Sequence, residues 1–390
     1  MKSSPVRSRK QLIWLAITVS IILAVLVGRF KSQESQLQTI QKYFPGTVYQ
    51  VNPINDHKWS LVEKGKAKKT LIYLGKGTGY NGGVTVLTLL NNDSSIKLVL
   101  PIKHQETPSY YKKMINNNFL KRFRGEKLNQ IDPFRGIDVV SGATFTSNAI
   151  KEGVIKGYAN AENLALEEKK QPVMGILEFI IIYLLITGFL LSKIKVQKYR
   201  NSLLWSSLFI SLISIGFIYN QPLSYSRISA FLLGNFPDST KELYFYFMLF
   251  GSGLLILFTG KNIYCHSVCP FGAAQEVFSK IGKSKPYRPD IYKKLKIIQR
   301  SLAFSALILA LVLNNPSIAG YEIFSAFFHL TANTILIVVL FIVILLSLII
   351  KRPWCNFMCP MDSAFEYLRL TRKLITSLWK KENNSSDLLS

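Results

Sequence analysis

The sequence predicts an α+β domain outside the membrane joined to an all-α polytopic membrane domain of about six transmembrane helices. Two observations carry this prediction. Hydrophobic residues make up 49% of the chain and are concentrated in long apolar runs, which is typical of a membrane protein. Between the first two runs lies a long polar segment, 31–172, in which strand-like and helix-like patterns alternate with turn residues.

Six apolar segments are candidate transmembrane helices, and the fifth is the shortest. A basic start before an apolar run is also typical of a cleaved signal peptide, but no small-x-small site follows the first segment. We therefore expect an uncleaved anchor. The six segments lie at residues 12–27, 174–191, 203–219, 243–258, 301–313 and 332–350.

The net charge of +26 indicates membrane topology rather than binding to nucleic acid. Lys and Arg are concentrated before the first apolar segment, in every second loop after it, and after the sixth segment. This alternation follows the positive-inside rule and predicts that both termini are cytoplasmic. The excess positive charge is thus expected to face anionic lipids of the bilayer, and no nucleic-acid partner is expected.

The charge pattern and the apolar segments predict four parts of the chain. The outer part contains no cysteine, so it has no disulfide, but a domain of its length can build a core without one. A polar helix is expected at its start, near 32–43, and a charged linker at its end, 167–171. The four parts are a cytoplasmic N terminus with an anchor (1–30), an extracytoplasmic domain (31–172), a five-helix membrane domain (173–372) and a cytoplasmic tail (373–390).

The outer part contains the pattern Asp-x-x-Ser-Gly-Ala-Thr, in which two β-branched residues enter a Ser-Gly-Ala turn. Residues 146–169 follow with apolar residues at helical spacing. The hydroxyl groups of this segment therefore lie at or just before a helix start, where free N–H groups and the helix dipole stabilise an anion. On its own, the pattern also fits a simple N-cap at Thr144 or Thr146. The pattern residues are Asp138, Ser141, Gly142, Ala143 and Thr144.

Two further segments precede this pattern. Residues 75–83 are rich in glycine and lead into strand-like runs at 84–87 and 96–102, with a turn at 91–95. The glycines are not a dinucleotide fingerprint, because Tyr80 stands where the third glycine is required and a strand follows. Glu106, Thr107 and Pro108 come next, and alone they indicate an ordinary turn into a helix with proline in its first turn.

In this order the three segments resemble the covalent FMN-binding domain family, over about residues 65–168. In that family the last Thr of the pattern carries FMN through a phosphoester bond, which a dedicated flavin transferase installs. The resemblance implies an α+β extracytoplasmic FMN-binding domain with FMN attached to Thr144. It also implies that Asp138, Ser141, Gly142 and Ala143 belong to the acceptor motif and that Glu106 and Thr107 lie near the flavin.

All four cysteines occur in two matched segments, each of the form Cys-x3-Cys-Pro, after the fourth and sixth apolar segments. Both segments are predicted at the cytoplasmic face, where thiols stay reduced. Residues at i and i+4 share one face of a helical turn, so the two pairs offer four soft ligands for an iron–sulfur cluster or a zinc ion. The x3 spacing and a redox flavin in the same chain favour an iron–sulfur cluster, for which we expect the 4Fe-4S type, and structural zinc is the alternative. The residues are Cys265, Cys269, Cys355 and Cys359.

The two cysteine segments resemble those of polyferredoxin-like membrane proteins, over residues 243–370. Joined to an outer FMN domain, they make the chain similar to the NosR/NirI family of respiratory membrane flavoproteins and to shorter relatives encoded beside reductive dehalogenases. The ferredoxin module Cys-x2-Cys-x2-Cys-x3-Cys-Pro that follows the last span in NosR does not occur here, so the cytosolic electron donor stays open. Haem is not expected, because the four histidines lie in loops or at span ends.

The resemblance implies a multi-pass electron-transfer flavoprotein of the bacterial inner membrane. Electrons from the quinol pool or a cytoplasmic donor are expected to pass through FMN to an extracytoplasmic reductase or carrier. The chain is expected to be a component of an oxidoreductase system, with no catalytic residue of its own assigned. The alternative is a redox-sensing regulator or maturation factor for a respiratory reductase, with a structural metal at the cysteines.

Two expectations concern the membrane part. The cysteines and the flavin are expected on opposite faces of a hydrocarbon layer ~30 Å thick, so that a quinone or another subunit intervenes between them. The aromatic residues at 244–247, near the outer end of the fourth span, are expected to form an interfacial belt, with a quinone pocket as the less favoured interpretation.

Overall fold

A β-sheet domain is followed by an all-helical region in this computed structural model, as the sequence predicted. The expected linker at 167–171, most of the boundary between the anchor and the outer part, and the predicted start of the sixth span at 332 lie outside the described residues. The structure describes residues 5–31, 36–46, 48–65, 69–91, 93–128, 134, 136–164, 174–286, 288–329 and 334–386.

Five antiparallel strands form one sheet whose spatial order is the chain order. The strands predicted at 84–87 and 96–102 are confirmed as β4 and β5. The first part of the glycine-rich run lies in a strand, β3, rather than in a loop. The strands are β1 (Tyr49–Asn55), β2 (Lys58–Glu63), β3 (Lys69–Thr78), β4 (Gly83–Leu90) and β5 (Ile96–Lys103).

Each face of the sheet is covered by a helix, because side chains alternate between the two faces along a strand. Helix α2 (Gln36–Tyr43) packs on one face through the buried Ile40, and α4 (Thr144–Ala161) packs on the other. A short helix α3 (Pro108–Asn116) follows β5.

Glycines bring α4 unusually close to β3. A Cβ atom placed on Gly77 would lie 1.8 Å from the carbonyl oxygen of Ala149, and one on Gly75 would lie 2.0 Å from that of Gly153. Only residues without a side chain fit at such a backbone contact. These glycines therefore fix the position of α4 on the sheet, and with it the position of Thr144.

In the described part of the chain, four helices are long and apolar enough to cross a membrane, and two shorter apolar helices accompany them. Each corresponds to one of the six predicted segments. The fifth segment is longer than expected, because the helix α11 (Pro289–Val312) includes basic and polar residues that the hydropathy pattern excluded. The four long spans are Gln11–Phe30, Ile176–Lys193, Gln197–Ile218 and Asp290–Val312, and the shorter helices are Leu243–Thr259 and Thr334–Ile349.

The remaining helices of this region are short or start at prolines, and they connect the apolar helices. Their buried side chains and those of the spans form one continuous core. For reference, the whole helical set is α1 (Pro5–Lys31), α5 (Ile176–Lys193), α6 (Gln197–Ser211), α7 (Tyr225–Leu232), α8 (Leu243–Tyr246), α9 (Ser252–Thr259), α10 (Pro270–Ile281), α11, α12 (Phe324–His329), α13 (Thr334–Ile349), α14 (Pro353–Phe357) and α15 (Pro360–Ser386).

The sheet domain docks on the connections between the apolar helices. The Gln105 amide nitrogen donates to the Asn314 carbonyl (2.5 Å), and the Asn235 amide donates to the Gln105 side-chain oxygen (3.1 Å). The Tyr80 hydroxyl donates to the Ser224 hydroxyl (3.1 Å). The two parts therefore share a polar interface next to the predicted acceptor loop.

Candidate functional site

Thr144 is the first residue of α4, and its side chain is exposed. The preceding turn is closed by the Ala143 N–H, which donates to the Val140 carbonyl (2.8 Å). Gly142 adopts φ +74°, and the Lys113 ammonium lies 2.6 Å from the place where its Cβ would be. The turn therefore requires glycine, and it presents the Thr144 hydroxyl at a helix start as the sequence predicted.

A cavity of about 420 Å³ opens beside this hydroxyl, between the sheet domain and the helical region. The sheet domain contributes the segment 141–146 together with Tyr80, Glu106 and Thr107. The helical region contributes residues from the connections at 218–226 and 320–325. The cavity is therefore built by both parts of the chain.

Glu106 is buried, with 3% of its surface exposed, although it is a carboxylate. Its Oε1 accepts from the Asn81 N–H (3.2 Å) and its Oε2 accepts from the Thr146 hydroxyl. Burial raises the pKa of Glu106, while these donors and the nearby Arg227 oppose the rise. Glu106 thus ties the start of α4 to the glycine turn, and the neighbouring Thr107 hydroxyl accepts from the Asn81 amide (3.0 Å).

The structure brings six of the seven predicted flavin residues together around the cavity. The exception is Asp138, whose exposed side chain does not line the cavity and whose carbonyl accepts from Arg122 (2.9 Å). Its part in the acceptor motif stays a prediction.

The cavity fits FMN in size and chemistry. Cofactor sites commonly have volumes of about 300 to 1,000 Å³, and the volume of this cavity lies in that range. The α4 N terminus suits a phosphate group, and Tyr80, Tyr110 and Phe324 supply aromatic surface for a planar ring system.

Arg227 packs against Tyr80, which lines the cavity, and no local sequence pattern predicts this position for a charged residue in a loop. It is 3% exposed, pairs with Glu242 and donates to the Tyr244 hydroxyl (2.6 Å). Its guanidinium carbon lies 4.7 Å from the ring centroid of Tyr80 and 5.5 Å from that of Phe145. A buried cation is thus held next to the acceptor loop.

Tyr244 and Phe245 are buried around this cation rather than exposed to lipid. The expected aromatic belt is therefore wrong for these two residues. The sequence pattern did not reveal their burial, because an aromatic residue at the end of a span fits the same pattern whether its side chain faces lipid or protein.

The cysteine pairs do not lie on single continuous helices. Cys265 lies in a π-helical turn, Tyr264–Val268, whereas Cys269 is extended (φ −71°, ψ 119°) and precedes Pro270 at the start of α10. Cys355 lies in α14, and Cys359 precedes Pro360 at the start of α15. The expectation of one helix face is wrong because proline disfavours helical backbone at the residue before it.

The second cysteine of each pair sits at a helix start. Backbone amides of Phe271 and Gly272 interact with Cys269, and the backbone amide of Asp362 interacts with Cys359. Amide donors and the positive end of a helix dipole stabilise negative charge on sulfur. Both loops therefore place their second cysteine where backbone N–H groups stabilise a thiolate.

Polar side chains hold the two loops against each other. The Gln275 amide donates to the Cys355 sulfur (3.2 Å), and Arg352 donates to the Cys265 carbonyl (3.1 Å). The Gln299 amide of α11 donates to the carbonyls of Cys355 (3.2 Å) and Cys359 (2.7 Å).

All four thiols are free, and Cys265 interacts electrostatically with the other three. Among the described residues, no group of three or more His, Cys, Asp or Glu side chains has the arrangement of a metal-ion site. Four thiols from two loops are nevertheless the donor set of an iron–sulfur cluster.

The cysteine loops and the cavity wall approach each other along α11. Gln299 contacts the cysteine loops, and the Ala303 carbonyl accepts from the Tyr225 hydroxyl (3.2 Å). The Tyr225 N–H donates to Glu322, which lines the cavity. Four residues of helix rise about 6 Å, so the cysteine loops and the side chains behind the cavity contact α11 about one turn apart, unlike the separation expected from the sequence.

Two family models match the chain, one of FMN-binding domains at residues 79–159 and one of 4Fe-4S binding domains at residues 243–289 and 332–377. The first match includes Glu106 and Thr144, and each segment of the second includes one cysteine pair. No curated protein matches the chain.

The chain therefore contains an FMN-binding domain and a 4Fe-4S binding domain with two cysteine motifs. These domains support a flavin and iron–sulfur electron-transfer role, and the apolar helices fit a membrane protein. Of the two metals that the sequence left open, the match favours iron–sulfur over zinc.

Proposed function

We propose that the chain is a membrane electron-transfer flavoprotein in which Thr144 carries FMN through a phosphoester bond and the four cysteines hold a 4Fe-4S cluster. The observation that carries the proposal is the cavity itself. Thr144 lines the cavity, and the part of the lining that comes from the helical region is connected to the cysteine loops through α11.

A pair of aromatic rings supports a direct path between the two sites. Phe271 follows Cys269 by two residues, and its ring centroid lies 5.5 Å from that of Phe324, which lines the cavity. Both rings are buried and thus shielded from water. When bound, the cluster and the flavin supply the electron-transfer chemistry, and the protein supplies their positions and surroundings.

The remaining side chains hold and tune the flavin site. The N–H groups at the start of α4 and the Lys113 ammonium near Gly142 favour a phosphate at Thr144. Arg227 places a buried positive charge behind Tyr80 and Phe145, which stabilises negative charge in the cavity.

The proposal includes orientation and partners. The positive-inside rule supports a bacterial inner membrane with both termini cytoplasmic and the sheet domain, 31–172, outside. A flavin transferase installs FMN, and electrons from a quinol or a cytoplasmic donor leave for an extracytoplasmic reductase or carrier. Because the cysteine loops and the side chains behind the cavity contact α11 about one turn apart, no quinone is required between the two sites.

The covalent attachment is tested by Thr144→Ala, with Thr85→Ala as the matched control outside the motif. We expect the parent and the control to show flavin fluorescence in a denaturing gel and a mass increase of one FMN. The Thr144→Ala protein is expected to show neither. Retention of the mass increase in Thr144→Ala would place the acceptor elsewhere.

The electron-transfer role is tested by Cys265→Ser and Cys359→Ser. Each variant is expected to keep its flavin, to lose iron, and to lose reduction of the flavin by a quinol or a cytoplasmic donor. Equal iron content in variant and parent would refute the cluster assignment. A parent protein whose flavin no quinol or donor reduces would instead support the redox-sensing regulator.

A further inference from the structure

We propose that Glu322 is a proton-exchanging group of the flavin cavity, whose carboxylate takes up a proton when negative charge is added to the cavity. The inference rests on the proposed function only in that the cavity holds FMN. Glu322 lies in the connection between α11 and α12, is 8% exposed and lines the same cavity as Thr144.

The carboxylates of the two acidic residues that line the cavity, Glu106 and Glu322, accept different numbers of hydrogen bonds. Both carboxylate oxygens of Glu106 accept hydrogen bonds, from Asn81 and Thr146, and Arg227 also favours its charged form. Glu322 accepts from one donor, the Tyr225 N–H, through Oε1. Within the described part of the chain, its Oε2 has no hydrogen-bond donor. Burying a carboxylate charge that only one donor stabilises costs free energy, and protonation removes that charge. Of the two residues, Glu322 is therefore the one on which a proton is favoured.

The titratable groups that face Glu322 do not supply a positive charge. Its interacting groups among the described residues are phenols and a thiol, whereas the buried cation Arg227 lies over the Tyr80 ring and interacts with Glu106. Burial therefore raises the pKa of Glu322 to about 8. The groups are Tyr80, Tyr110, Tyr225, Tyr321 and Cys269.

The charge balance of the step is simple. An electron delivered from the cysteine site adds one negative charge to the cavity, which makes a neighbouring carboxylate more costly. At a pH above the pKa of Glu322, where the group is a carboxylate before reduction, an O–H bond then forms there with a proton from bulk water, so that one proton offsets the charge of one electron. On reoxidation the bond breaks and the proton returns to water.

The test is a redox titration of the flavin absorbance in the full-length, flavin-loaded protein, from about pH 6 to about pH 10. In the parent we expect the slope of midpoint potential against pH to change near the pKa of Glu322, about 8. The Glu322→Gln variant is expected to lack that change. Glu126→Gln, an equal substitution outside the cavity, is expected to follow the parent. A Glu322→Gln curve parallel to the parent over the whole range would overturn the proposal.

Infrared difference spectra on reduction give a second measurement. At a pH above the pKa of Glu322, where its carboxylate is charged before reduction, we expect a band of a protonated carboxyl group to gain intensity in the parent, to shift in Glu322→Asp and to vanish in Glu322→Gln. Flavin fluorescence in a denaturing gel checks that each variant matured. If Glu322→Gln does not mature, Glu322→Asp decides, and a parent band that does not shift in Glu322→Asp overturns the proposal. A chemical reductant reduces the flavin without the cysteine site, so this outcome is distinct from failure of the proposed function.

Discussion

Arg227 and Glu322 are buried charged residues in the connections between spans, and each is stabilised in its own way. Arg227 is paired with Glu242 and enclosed by the rings of Tyr80, Phe145, Tyr244 and Phe245. By contrast, the proposal for Glu322 is that a proton, rather than a counter-ion, compensates its charge. Arg227 therefore supplies a charge that stays constant, whereas the charge of Glu322 is proposed to change with protonation.

The fixed charge leads to a prediction for Arg227→Met. The substitution leaves Glu242 buried without its partner, which costs about 3 to 5 kcal/mol of folding free energy. The double variant Arg227→Met with Glu242→Gln removes both charges and is expected to recover most of that loss. Thermal unfolding in detergent measures both proteins, and equal unfolding temperatures for the single and double variants would contradict the paired role.

At the scale of elements, the chain uses helix starts at three of its five proposed attachment points. Thr144 begins α4, Cys269 precedes α10 and Cys359 precedes α15. A helix start concentrates unpaired N–H groups, which favour a phosphate in the first case and thiolate sulfur in the other two. The position of each attachment point thus depends on how its helix is packed.

This dependence predicts the effect of Gly77→Ala in β3. The new Cβ would lie 1.8 Å from the Ala149 carbonyl oxygen, so α4 must move away from the sheet. We expect a loss of about 1 to 3 kcal/mol and reduced flavin incorporation, because Thr144 moves with the helix. Gly136→Ala, where the added Cβ has no neighbour within 4 Å, is the control. Normal flavin content in Gly77→Ala would show that the contact does not position Thr144.

At the scale of the whole molecule, the interface between the sheet domain and the helical region contains the cavity, and the helical region connects that cavity to the cysteine loops. Hydrogen bonds of Gln105, Asn235 and Tyr80 fix the two parts against each other. The Phe271 and Phe324 rings lie between the cysteine loops and the cavity. Under the proposed function, this arrangement lets electrons pass between the two sites within one chain, without a mobile carrier.

The path predicts a kinetic effect for Phe324→Leu. We expect unchanged iron and flavin contents but slower reduction of the flavin through the cysteine site, because an aromatic ring at the cavity wall is lost. Phe250→Leu, at a position with 51% of the side chain exposed on the helical region, is the matched control. Rapid-mixing absorbance measurements follow the reduction, and equal rates in both variants would argue against this path.

Local patterns in the sequence were sufficient for part of this result. The apolar segments, strands β4 and β5, the start of α4 and the two Cys-Pro motifs each depend on a few neighbouring residues. The exposed hydroxyl of Thr144 followed from its place before a helix, and the pairing of four cysteines followed from their repeated spacing. The matches to FMN-binding and 4Fe-4S binding domains confirmed the cofactors inferred by resemblance.

Tertiary structure alone decided where these pieces meet. Burial of Arg227 and Glu322, the position of Asp138 outside the cavity and the approach of the cysteine loops to the cavity wall along α11 all depend on contacts between residues far apart in the chain. Hydropathy gives the length of a span, but it does not give the depth to which the connections between spans reach. That depth is set by side-chain packing against α11, which no local pattern encodes.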